Sequence, residues 1–72
     1  MKKTFALIDL DCANCAAKME RAIAKIDGVN EVTVSFFAQK LILDADDARF
    51  DEILSAAEAA IRKVDSDCRI KK

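Results

Sequence analysis

Two apolar stripes of helical period, separated by two segments of alternating residues, restrict the fold of this chain more than any other feature of its sequence. Cys15, Met19, Ala22, Ile23 and Ile26 recur at three- and four-residue steps through residues 13–26, which puts them on one face of a helix. Lys18, Glu20, Arg21 and Lys25 fall mostly off that face. Phe50, Ile53, Leu54, Ala57, Ile61 and Val64 make a second stripe, with Asp46 or Asp47 placed to cap its helix. Between the stripes, Val32, Val34 and Phe36 alternate with Glu31, Thr33 and Ser35, and Leu41 and Leu43 share a face of residues 40–44. Period-two alternation predicts two strands, and the polar link through Ala38 and Gln39 suits a hairpin. Gly28, the only glycine, stands just past the first stripe, where helices commonly close on a left-handed residue.

Residues 1 to about 10 predict a further strand, with Phe5 and Leu7 on one face and Ala6 and Ile8 on the other. Apolar residues on both faces lead us to expect both to be partly covered. Residues 68–70 complete the set as a short last strand. The order is βαββαβ, an α+β chain. Two helices on one face of a four-stranded antiparallel sheet bury both stripes in one core, and the ferredoxin-like sandwich is the natural closed form.

At 72 residues without proline, linker or low-complexity run, residues 1–72 are expected to form a single domain. Such a chain buries only about 60% of its unfolded surface and has little room for a deep catalytic cleft. Twelve basic against thirteen acidic residues, with no tryptophan or tyrosine, argue against nucleic acid, which needs a basic or base-stacking face. No apolar run approaches the roughly 20 residues of a membrane span, and none has the length of a secretion-signal core. The cysteines are three, Cys12, Cys15 and Cys68. An odd number without a secretion signal points to a reducing, cytoplasmic setting, where a close pair means metal or redox chemistry.

Cys12 and Cys15 fall where the first strand runs into the first helix. A three-residue step over that turn lets two sulfurs share an ion. The free N–H groups and positive dipole end of a helix start favour thiolate, the form that binds metal. Sulfur ligands select Cu(I), Zn(II) and similar soft or borderline ions. The plainer reading of the pair is two incidental buried cysteines. Asp44-Ala45-Asp46-Asp47 suggests calcium, but Arg49 stands where that loop needs glycine and Ser55 where it needs glutamate.

With the pair in view, the sequence resembles the heavy-metal-associated domain, found in heavy-metal-transporting P-type ATPases and as free metallochaperones. The family motif Gly-Met-x-Cys-x-x-Cys reads here Asp9-Leu10-Asp11-Cys12-Ala13-Asn14-Cys15, and Asp27-Gly28-Val29 and Val32-Thr33-Val34 continue the likeness. It extends over residues 3–70. Aspartate replaces the motif glycine, and leucine takes the place of the core methionine. Asp11 directly before Cys12 resembles the zinc, cadmium and lead branch, in which that aspartate is a ligand; carboxylate oxygen suits a divalent ion better than Cu(I).

In the expected topology the start of the last strand lies beside the metal loop, which brings up Asp65, Asp67 and Cys68. Copper carriers usually have a lysine in that loop. With Asp9 and Asp11, this end is expected to be acidic. The expected ligands are Cys12, Cys15 and Asp11, with Cys68 as a candidate fourth, since zinc seeks four ligands and the chain has no histidine. The plainer readings are a small apolar strand residue for Cys68 and a helix cap or solvated loop charge for Asp11.

The resemblance implies a module, itself no enzyme, that binds Zn(II) or Cd(II), with Pb(II) next. It would deliver or sense the ion on the cytoplasmic side for the membrane part of an exporting ATPase. A free metallochaperone, for Cu(I) or another ion, is the alternative, and a metal-bridged dimer is compatible with an open site. A thiol-disulfide oxidoreductase is the reading from another class, but its usual thioredoxin-like strand order does not fit this chain.

Overall fold

The computed structural model describes residues 1–71 and follows the order β1 (Lys2–Ile8), α1 (Ala13–Ala24), β2 (Val29–Ser35), β3 (Lys40–Ala45), α2 (Phe50–Val64) and β4 (Arg69–Lys71). The strands form one antiparallel sheet in the order β2-β3-β1-β4. Both helical stripes point at one face of it: Met19 and Ile23 from α1, and Ile53, Ala57 and Ile61 from α2, are buried with Leu7, Val32, Val34, Leu41 and Leu43 from the strands. This is the expected βαββαβ ferredoxin-like sandwich, with the core between helices and sheet.

The other face of the sheet is open. Ala6 is exposed and Ile8 is 37% exposed, so the expectation that both faces of β1 are partly covered is corrected. The helices are too few to clothe more than one side, and both pack on the face that carries Leu7 and Phe5.

Element ends shift for local reasons. The strand β1 stops at Ile8, not near Leu10, because Asp9 adopts φ +61° and turns the chain. The turn sends Leu10 inward, where it is 3% exposed. Helix α1 ends at Ala24, two residues before the stripe does, as Lys25 and Ile26 donate their N–H groups to Ala22 and Ile23 and tighten the last turn. Gly28 then takes φ +97°; a Cβ there would lie 2.7 Å from Ile53 Cδ1, so glycine serves both the left-handed backbone and the close approach of α2. The strand β2 begins at Val29, earlier than the alternation suggested, with an irregularity between Val29 and Glu31. Asp46, one of the two expected caps, accepts the N–H of Ala48 and opens a single 3₁₀ turn (Asp47–Arg49) that runs into α2.

The chain direction places three connections at one end of the sheet: the β1–α1 loop with the cysteine pair, the β2–β3 hairpin turn, and the α2–β4 loop. Pairing of Ala6 with Lys40, and of Ile8 with Arg69, fixes this grouping.

Candidate metal centre

The paired cysteines are set by the entry to α1. Cys12 has extended backbone (φ −136°, ψ 118°) and is the N-cap of the helix; its Sγ accepts the N–H of Cys15 at 3.3 Å. Its carbonyl receives the first helical bond, from Ala16 at 3.1 Å. Sulfur here does the work usually done by a serine or aspartate oxygen. The first turn of α1 contains no acidic residue, so the sulfur is the group that meets the positive end of the helix. Asp11 is exposed and does not cap α1; the capping role considered for it belongs to Cys12.

The two sulfurs are unlike. Cys12 is lowered from the ordinary thiol range, first by the Cys15 thiol and then by the Cys15 N–H; burial opposes this, the Asn14 N–H adds a lesser lowering, and Asp11 a still smaller rise. Cys15 is raised, first because its thiol proton is held by Cys12, then by burial and by the charges of Cys12 and Asp65; Lys18 pulls the other way. Both are half-buried, and Cys15 packs on the core. One proton leaves the pair easily and the second is retained.

Cys68 ends the α2–β4 loop. Its N–H donates to the Asp65 carbonyl at 3.2 Å, and Asp65 Oδ1 accepts the N–H of Asp67 at 3.0 Å. The side chain is fully buried. Burial pushes its thiol up, and Asp65, Asp9, Asp11 and Cys15 add to the rise. The third cysteine thus feels the charges of the metal loop while lying beneath the surface.

Asp9, Asp11 and Asp67 line an open cleft of about 550 Å³ together with Ser66, Arg62 and Arg69. The expected acidic rim is there, but two guanidinium groups stand in it. They come from the end of α2 and the start of β4, and their proximity to residues 9–11 follows only from the antiparallel pairing of β1 with β4. Among the described residues, no three His, Cys, Asp or Glu side chains converge into a ready-made ion cage. The fold brings Cys12 and Cys15 together, leaves Asp11 exposed beside them and keeps Cys68 underneath.

A residue absent from the sequence reading of the site is Gln39. It sits in the β2–β3 turn at φ +55°, and its Nε2 donates to the carbonyls of Leu10 at 2.6 Å and Phe36 at 2.7 Å. Its own carbonyl accepts the N–H of Leu7 at 2.7 Å. The hairpin turn is thereby tied to the metal loop on both sides of Asp9.

Comparison with known proteins agrees with this geometry. The heavy-metal-associated domain profile matches residues 4–66. The zinc/cadmium/lead-transporting P-type ATPase of Shigella sonnei is 43% identical over 54 residues, covering 75% of this chain and 7% of the ATPase. The copper chaperone CopZ of Enterococcus hirae is 33% identical over 48 residues, covering 67% of this chain and 70% of CopZ. The solution structure of the N-terminal domain of ZntA in its apo form superposes with a TM-score of 0.70 at 33% identity, over 99% of this chain and 92% of that domain. The chain thus spans a small fraction of the transporter it matches and most of the carrier. With a two-cysteine loop at the head of α1, on a ferredoxin-like sheet, and a profile match over most of its length, this chain belongs to the heavy-metal-associated domain family.

Proposed function

We propose that this domain binds a divalent soft or borderline ion, Zn(II) or Cd(II) with Pb(II) next, through the thiolates of Cys12 and Cys15 and the carboxylate of Asp11. The observation that carries this reading is the exposed carboxylate of Asp11 immediately before a capping sulfur already drawn toward thiolate. Two thiolates alone suffice for Cu(I), whereas a carboxylate oxygen adds charge and hardness suited to a dication. Cys68 is the candidate fourth ligand. Because it is buried and its thiol is raised, it would join only when the loop opens toward it; otherwise water or a partner group fills that place.

The role that goes with this site is hand-over of the ion to, or sensing for, the membrane part of a heavy-metal-exporting ATPase from its cytoplasmic side. Likeness to the zinc/cadmium/lead ATPase supports it. Transfer needs no general base. An incoming thiolate attacks the ion, a mixed-ligand intermediate forms, and the two cysteines leave in turn. The retained proton on Cys15 favours its return to thiol as the ion departs. No helix among the described residues is long and apolar enough to cross a membrane. A free Cu(I) carrier is the second reading, favoured by the match over 70% of the length of CopZ.

The test is a competition titration of the reduced protein, Zn(II) and Cd(II) against Cu(I), with Asp11→Ala in parallel. Tight divalent binding that weakens in the variant supports the export reading. Strong Cu(I) preference, indifferent to Asp11, moves the domain to the copper carriers.

A further inference from the structure

Two residues of the metal end hold the left-handed backbone that side chains other than glycine rarely adopt: Asp9 at φ +61° and Gln39 at φ +55°. Such a conformation is strained for a residue with a Cβ and persists only where neighbours over-determine it. Here the neighbours are each other's segments. The Gln39 carboxamide gives one N–H to the Leu10 carbonyl at 2.6 Å and the other to the Phe36 carbonyl at 2.7 Å. The backbone of Gln39 accepts from Leu7. Two carbonyl acceptors fix which end of the amide is nitrogen. Leu10 is buried and stands two residues before Cys12.

We propose that Gln39 is a positioning residue for the ion site: its carboxamide clamps the Leu10 carbonyl and so sets the path by which the chain leaves β1 and brings Cys12 to cap α1. This rests on the reading of Cys12 and Cys15 as ligands. The clamp links residues 29 apart in sequence and makes the hairpin turn a rigid backing for the loop. Without it the Asp9 turn is free to relax, the sulfur separation becomes variable, and the ion is released faster. The clamp touches no ligand atom, so it acts on the rate and tightness of binding and leaves the ligand set unchanged.

The test compares Gln39→Glu, equal in shape but unable to donate when ionised, with Gln39→Lys, which can donate to both carbonyls. Cd(II) is the probe, followed by its thiolate charge-transfer absorption and by its release to a chelator. We expect Gln39→Glu to keep the absorption band and to release Cd(II) roughly tenfold faster, the equivalent of the lost hydrogen bond to the Leu10 carbonyl, and Gln39→Lys to restore most of the loss. Metal-free exchange of the Cys15 and Ala16 amides should rise in the Glu variant and stay low in the Lys variant. Equal release from wild type and both variants overturns the proposal. So does a loss that tracks the melting temperature equally in both, since that marks a merely structural turn. Absence of a Cd(II)–thiolate band in wild type would sink the ligand reading instead, and unchanged amide exchange in Gln39→Glu would sink the clamp by itself.

Discussion

Cys12 and Cys15 are joined through one sulfur: the backbone N–H of Cys15 donates to Cys12 Sγ at 3.3 Å. That bond runs one way, and it makes a pair of chemically equal residues inequivalent, with Cys12 lowered and Cys15 raised. Cys12 collects donors and Cys15 gives up its own.

The inequivalence predicts an order of reaction. Under reducing conditions, a limiting thiol alkylator should label Cys12 first, with a midpoint below the ordinary thiol value of about 8.5. Cys15→Ala removes the largest cause of the lowering and should move that midpoint up. Cys68 should remain unlabelled until the protein is unfolded. Mass spectrometry of the labelled peptides reads all three; simultaneous labelling of Cys12 and Cys15 would refute the asymmetry.

Ion affinity should rise with pH. Both protons must leave before two thiolates bind, and the second is held on a raised Cys15. Apparent affinity for Zn(II) should therefore climb steadily from neutral pH until Cys15 itself ionises, and fall toward acid as Cys12 takes up its proton. Competition with a chelator at stepped pH measures the slope. A flat profile between neutral pH and the ordinary thiol range would contradict the Cys15 assignment.

Cys68 predicts an alkaline weakness of the metal-free domain. Its folded pKa is raised, so its contribution is fully present below the unfolded value of about 8.5 and lost as pH rises through the folded value. The cause is that the unfolded chain ionises while the folded one resists. Urea midpoints should drop above that unfolded value, and Cys68→Ala should flatten the drop while lowering stability at neutral pH through the small cavity it leaves. A drop of the same size in the variant would assign it to other groups.

Gly28→Ala should destabilise by about 1–3 kcal/mol. The added Cβ sits on a backbone of φ +97°, which is strained for any residue with a side chain, and meets Ile53 Cδ1 at 2.7 Å, so the tip of that buried side chain must shift as well. The unfolding midpoint in urea reads this directly, and ion affinity per folded molecule should change little, because Gly28 lies at the end of the sheet remote from the cysteines.

Asp9→Gly should act in the opposite direction. Removing the side chain relieves the cost of φ +61° and is expected to stabilise by about 0.5–1 kcal/mol. It also lowers the negative charge beside Cys68, one of the causes of its rise. Higher thermal stability with an unchanged ligand set is the expected result; a loss of stability would show that the aspartate side chain holds the turn in some way other than by tolerating it.

Much of this architecture was legible from spacing. The stripe from Cys15 to Ile23 and the alternation at Val32 and Val34 depend on contacts within a few residues, and each matched the fold; Gly28 is left-handed as expected, but stands beyond the helix end at Ala24 and also meets Ile53 across the core. The cysteine pair was legible because its chemistry lies within four consecutive residues. What escaped depends on pairing across the sheet. Gln39 reads as a polar turn residue until the register of β1 against β3 sets it beside Leu10. Arg62 and Arg69 have no place in the sequence reading of the site, because only the closure of β4 on β1 brings them beside Asp9 and Asp11. The open face at Ala6 and Ile8 was misjudged for a related reason: alternation gives two faces to a strand but does not say how many helices there are to cover them.

The capping sulfur has one more consequence. The sulfur of Cys12 that accepts the Cys15 N–H at the first turn of α1 is the same atom an ion would draw upon. Loading and helix capping therefore share one atom, and an ion bound there shifts electron density in the Cys15 N–H···Sγ bond. The amide proton of Cys15 becomes a built-in gauge of occupancy, readable by its resonance position without any label, at the one point where the cargo and the backbone answer to the same electrons.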